Sequence, residues 1–176
     1  MVRHISGAMF TLMTARKGIQ VHGQLAIDAL FKEFEQLHDL GVFQAQDASK
    51  LTKHQRRAAL RAISMVKEKR CGKIKGRTVA DGRPQRSQYT KEETTSPTVG
   101  NDALMLLALI DGHEHRDVAT ADVTGAYLHA DMPDFTLLKI EGPSVDILCD
   151  VSEEYEKHIV IENGKRVLYL KLLKAL

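Results

Sequence analysis

One segment has residue types at a spacing that could do chemistry: DVATADVTGAYLHADM, residues 117–132. An acid at the end of a buried strand is costly unless its charge is offset, and a bound metal ion commonly does this. Alternation from Val118 predicts a short strand over 117–123. It puts Thr120 and Asp122 on one face and Ala119, Ala121 and Val123 on the other. The small residues Gly125 and Ala126 then let a ligand approach the backbone, and Tyr127 supplies a flat wall. One metal-holding carboxylate, an open backbone and an aromatic wall suit a nucleoside triphosphate with Mg2+. The competing reading makes Asp122 a structural acid or turn former, the commoner role of a lone aspartate at a strand end. Other groupings are weaker. His113 and His115, with Asp111 and His129 nearby, match no zinc spacing and read as a polar loop. Asp131 lies nine residues after Asp122 with a turn between, and reads as a cap for the turn before Met132 and Pro133.

Charge is split along the chain. Residues 53–91 carry 13 Lys and Arg against Glu68 and Asp81, while residues 92–157 carry 15 Asp and Glu against Arg116, Lys139 and Lys157. The basic block could meet a polyanion, and the acidic block could hold a divalent cation that also meets it. The alternative is a pair of solvated faces that attract each other.

The elements that must position these residues can be read coarsely. Residues 1–22 show no clean period and read as a lead-in. Residues 25–40 predict an amphipathic helix, with Ile27, Leu30, Phe31, Phe34 and Leu37 three and four apart and Gly41 as its stop. Thr52 to Gln55 has the capping-box form, so a second helix is expected over 53–70. Ala59, Ile63 and Val66 would face its core side, and Arg56, Arg57, Arg61, Lys67 and Lys69 mostly solvent or a ligand. Residues 71–90 read as a twisted hairpin or loop. Asn101 is expected to cap an apolar helix over 102–110 that Gly112 ends. A strand is expected at 136–140. A hairpin is expected where 158–161 and 167–172 flank Glu162-Asn163-Gly164-Lys165, because Asn-Gly tolerates the positive φ of a tight turn.

Several of these segments together resemble a known family. Asp122-Val123-Thr124-Gly125-Ala126-Tyr127 is similar to the first motif of reverse transcriptases, Asp-Val-x-x-Ala-Phe/Tyr. KIKGRTVADGRPQR (73–86) resembles the Lys-x-Arg-x-Val-Ala-x-Gly segment in the fingers of copia-type LTR retrotransposon polymerases. TSPTV (95–99), KIEGP (139–143) and VLYLKLLKAL (167–176) resemble the family's later segments, in order, over about residues 53–176. The resemblance implies an α+β fold: right-hand polymerase fingers and a partial palm, with an antiparallel sheet and flanking helices in an incomplete domain. It divides the chain into a lead-in with one amphipathic helix (1–50) and a fingers and early palm fragment (51–176).

By the same resemblance, Asp122 is the first catalytic carboxylate and a Mg2+ ligand, with Mn2+ as a substitute ion. Val123 lends its backbone carbonyl to the metal. Ala126 and Tyr127 lie against the incoming dNTP, and Lys75 and Arg77 match the basic strand that grips its triphosphate. Which of Lys75 and Arg77 does so stays open, since a slip of one residue swaps faces. Arg56, Arg57 and Arg61 are candidates for template phosphates. The implied partners are an RNA template, a DNA primer, dNTP and the remainder of a polymerase and RNase H polyprotein. The sequence departs from the family in holding no Asp-Asp pair. One carboxylate holds two cations poorly, so the chain alone is expected to be inactive as a polymerase.

Composition bounds the alternatives. At 176 residues with 43% apolar content, the chain suits one globular domain or a large piece of one, and excludes a disordered protein. No apolar run reaches the roughly 18 residues of a membrane span. The first residues lack a signal-peptide core, so a cytoplasmic location is expected, with the nucleus second, and not secretion. Cys71 and Cys149 form no Cys-x-x-Cys pattern, which fits a reducing compartment. The apolar run LYLKLLKAL at 168–176 lacks a turn signal, and suggests a fragment. Two further readings remain: a non-catalytic nucleic-acid-binding relic, and a different Mg2+-dependent phosphotransferase built around Asp122.

Overall fold

A computed structural model describes residues 12–87, 90 and 98–176. The chain divides into two compact units, one formed by residues up to 82 together with 127–176, the other by 83–126. Residues 88 and 89 of the expected hairpin or loop over 71–90, and most of TSPTV, fall outside the described residues.

The first unit is a seven-stranded mixed sheet covered by helices. Its strands are β1 (Leu12–Thr14), β2 (Phe43–Gln46), β3 (Leu60–Glu68), β4 (Ile74–Ala80), β5 (Leu137–Glu141), β6 (Val160–Glu162) and β7 (Lys165–Leu172). The path runs β1-β3-β5-β7-β2, with β4 beside β3 and β6 beside β7. Every pairing is antiparallel except a short parallel joint, Leu60 with Leu138 and Arg61 with Lys139. The sheet is therefore not purely antiparallel as expected.

Helix α1 spans Ala15–His22, and α2 spans Gln24–Asp39 with Ala26, Leu30, Phe34 and Leu37 buried. These four, at helical spacing, pack in one cluster with Leu138, Ile140, Leu168 and Leu170. The alternate residues Leu137, Val167 and Tyr169 form a second cluster on the other face, with Ala48 and Leu51. Burial on both faces explains why β7 reads as an unbroken apolar run. Helix α3 (Lys53–Ala58) starts at the expected capping box: Gln55 N–H donates to Thr52 Oγ1 at 3.1 Å, and Thr52 N–H donates to Gln55 Oε1 at 2.9 Å. Helix α5 (Pro143–Val151) follows β5, and its Val145, Ile147 and Leu148 are buried.

Two sequence expectations are corrected in this unit. The helix expected over 53–70 ends at Ala58, and the chain turns into β3. Leu60, Ser64 and Val66 are buried and Ala62 is half-buried, a period of two that suits a strand. Residues 12–22 are not a lead-in: Met13, Ala15 and Gly18 are buried, and β1 pairs with β3. Residues 12–82 all fall in this unit. The hairpin at Asn163 and Gly164 forms as expected, with φ of 50° and 73°.

The second unit carries α4 (Asn101–His113). Gly100, not Asn101, is its N-cap, and the helix runs through Gly112. Residues 117–123 form no strand; they are irregular and exposed. Strand propensity alone does not hold a strand, which needs a paired neighbour for its backbone groups.

Candidate functional site

The candidate residues fall on different parts of the chain. Asp122, Val123 and Ala126 belong to the second unit, while Tyr127, Lys75, Arg77, Arg56, Arg57 and Arg61 belong to the first. Asp122 lies on the irregular segment with its side chain exposed, and Val123 is exposed beside it. Ala126 opens a single 3-10 turn, Ala126–His129, and Tyr127 is 73% exposed rather than forming a buried wall. Just beyond, Met132 N–H donates to the Leu173 carbonyl at 2.8 Å and Ala175 N–H to the Ala130 carbonyl at 2.9 Å. These bonds and the bridge between Asp131 and Lys174 fasten the stretch after the motif to the end of β7. Asp131 is thus a backbone bridge position.

The residues near Asp122 do not by themselves fit a Mg2+ ion. Among the described residues, no three His, Cys, Asp or Glu side chains gather to hold a metal. Asp111, weighed with His113 and His115, instead faces Arg116 at 3.7 Å, and Arg116 also pairs with Glu114. Within the second unit, Leu104, Leu107, Ala108 and Val118 line a shallow recess with this ion pair at its rim.

The basic candidates are better organised. Strand β4 alternates exposed Lys75 and Arg77 with buried Gly76 and Thr78. The face question left open by the sequence disappears, because both cations share the outer face. Across from them on β3, Lys67 pairs in register with Lys75, and Met65 with Arg77. Arg61 lies on the same outward alternation, further along β3. Like charges directly opposite on a sheet repel, so their placement there costs stability. The sequence reading put Lys67 on a helix and missed its position opposite Lys75. The alternation Leu60, Ala62, Ser64, Val66 was the signal that finds it.

Arg56 and Arg57 sit apart from this face, on α3. Arg56 Nη1 is 4.0 Å from Glu162, so part of its charge is answered within the chain. Glu162 anchors a half-buried network. Lys139 Nζ donates to Glu162 at 2.8 Å and lies 3.1 Å from Glu141, while the Tyr169 hydroxyl donates to Glu162 Oε1 at 2.9 Å. The bond from Lys139, then the one from Tyr169, hold the Glu162 carboxyl below its ordinary 4.5 against the opposing effect of burial. A carboxylate with a lowered value stabilises the fold above the ordinary value, and this contribution fades as pH falls through the lowered one. Stability is therefore expected to drop as the medium is taken below about pH 4.5, and Glu162→Gln should flatten that acid limb. Chemical denaturation of both chains between neutral pH and the acid range checks this. Equal acid limbs would remove Glu162 from the account.

No protein-family model, curated protein or solved structure matches the chain. Among the described residues, no helix is long and apolar enough to cross a membrane.

Proposed function

We propose that this chain is the fingers and first palm segment of an RNA-directed DNA polymerase of the copia retrotransposon type, and that by itself it binds nucleic acid without polymerising. The observation that carries the reading is the paired placement of Lys75 and Arg77 on one exposed strand face, opposite Lys67. Phosphates are the ligand that such a face suits, because each neutralised phosphate releases condensed counterions. The ordered motifs along the sequence give the reading its direction. Asp122 is the one acid at a position that matches the family's first catalytic carboxylate. Mg2+, or Mn2+ in its place, belongs to the reading as an ion held jointly by Asp122 and carboxylates outside this sequence. The natural partners are an RNA template with a DNA primer, and dNTP.

A second reading, a nucleic-acid-binding relic without catalysis, is favoured by the exposed setting of Asp122 on an irregular segment. The two are separated by one pair of measurements on the intact chain. Binding to a labelled RNA–DNA hybrid should weaken steeply with salt under both. Primer extension with Mg2+ or Mn2+ should be negligible for the chain alone. If extension appears on adding a polymerase segment that carries an Asp-Asp hairpin, and is lost in Asp122→Asn, the polymerase reading stands. If no such complementation occurs while hybrid binding persists, the relic reading replaces it. A flat salt dependence would remove both.

A further inference from the structure

Helix α2 reaches the strand that carries Lys75 and Arg77. Strand β4 is the outer strand of the sheet: among the described residues, no strand lies on its far side. Such an edge leaves backbone N–H groups without a ladder partner. At Thr78 that edge is taken by a side chain, since the backbone N–H donates to Glu33 Oε1 of α2 at 3.2 Å. The inner face of the same strand is fixed at two more points. The Thr78 and Ser64 hydroxyls are hydrogen-bonded at 3.0 Å in a buried position. Gly76 lies so close to α2 that a Cβ there would stand 2.5 Å from the Ala29 carbonyl oxygen.

We infer that Glu33 is a positioning residue for the cationic face: by accepting the Thr78 N–H it fastens β4 to α2, so that Lys75 and Arg77 are held side by side on the opposite surface. This inference rests on the reading of that face as phosphate-binding. The two buried alternates, Gly76 and Thr78, are the contacts with the helix, and the two exposed alternates are the cations. Fastening the first pair therefore orients the second. Glu33 approaches the strand through its backbone, on the side away from the exposed cations. Its role is geometric, and an oxygen acceptor suffices for it. Without that acceptor, the edge of β4 opens more readily, and a ligand has to bear the cost of ordering it.

The test uses the intact chain, a fluorescein-labelled RNA–DNA hybrid at low salt, and hydrogen exchange at the Thr78 amide. Glu33→Ala is expected to weaken hybrid binding about fivefold and to speed Thr78 exchange, as the loss of one charge-assisted hydrogen bond implies. Glu33→Gln keeps an oxygen acceptor and is expected to stay within about twofold of the natural chain in both. A role limited to overall stability would lower the melting temperature of Glu33→Ala while leaving hybrid affinity natural at temperatures where the chain is folded. Natural affinity in Glu33→Ala, or equal weakening in Glu33→Gln, overturns the inference while leaving the phosphate-binding face intact. Natural affinity in the double variant Lys75→Ala with Arg77→Ala instead removes that face as the binding surface, and the inference falls with it.

Discussion

Gly76→Ala is expected to destabilise the first unit by about 2–3 kcal/mol. The added Cβ would stand 2.5 Å from the Ala29 carbonyl oxygen, 2.8 Å from its carbon and 3.0 Å from the Leu30 Cα. All three are backbone atoms of α2, so no side-chain rotation relieves the clash. The helix has to move off β4, and Leu30 and Phe34, both fully buried, move with it. A thermal melt followed by circular dichroism should fall by roughly 5–10 °C, given the usual shift per kcal/mol at this chain length. Gly82→Ala is the control, because a Cβ there meets nothing within 4 Å and the glycine has no positive φ. It should change stability by less than about 0.5 kcal/mol. Equal melting temperatures in the two variants would mean that α2 does not pack on β4 as described.

The second large effect is on binding. Replacing both Lys75 and Arg77 with alanine is expected to weaken RNA–DNA hybrid binding by about 10- to 100-fold at low salt, and to lower the salt slope by about two. Each cation is exposed, and neither side chain packs in the core, so the fold should survive the change. Arg56→Ala should do less, because the Arg56 guanidinium lies 4.0 Å from Glu162 and part of its field is already answered. Asp122→Asn should leave binding unchanged, since Asp122 lies in the other unit and carries charge of the wrong sign for phosphate. Titrations at several salt concentrations decide the matter. An unchanged slope in the double variant would move the polyanion site elsewhere, with α3 as the next surface to probe.

The acid–base network around Glu162 shows how a charged cluster can be structural. Lys139, Glu141 and Tyr169 alternate onto the second core face beside Leu137 and Val167, where a lone charge would be costly. Mutual hydrogen bonds resolve that cost. A similar tie secures the far end of α2, where His38 Nδ1 and the Tyr155 hydroxyl lie 2.7 Å apart. Burial pushes the Tyr155 hydroxyl up to about 12. These clusters are not legible in the sequence, because their members are far apart along the chain.

What the amino-acid sequence determined by itself was local. The α2 helix follows from apolar residues three and four apart, and the start of α3 from a hydroxyl and an amide three residues apart. The tight turn at Asn163 and Gly164 follows from two residues that accept positive φ. Each signal is complete within one or two turns of chain, so no distant partner is needed to read it. Strands are different, because their backbone groups are satisfied by neighbours remote in sequence. Residues 60–68 became β3 only because β1, β4 and β5 lie beside them, while the alternating residues 117–123 form no strand. The same pairing decided the candidate site. Strand register put Lys75 and Arg77 on one face and brought Lys67 opposite, while the motif around Asp122, legible as a string of residues, stands exposed, with no metal-holding group gathered among the described residues.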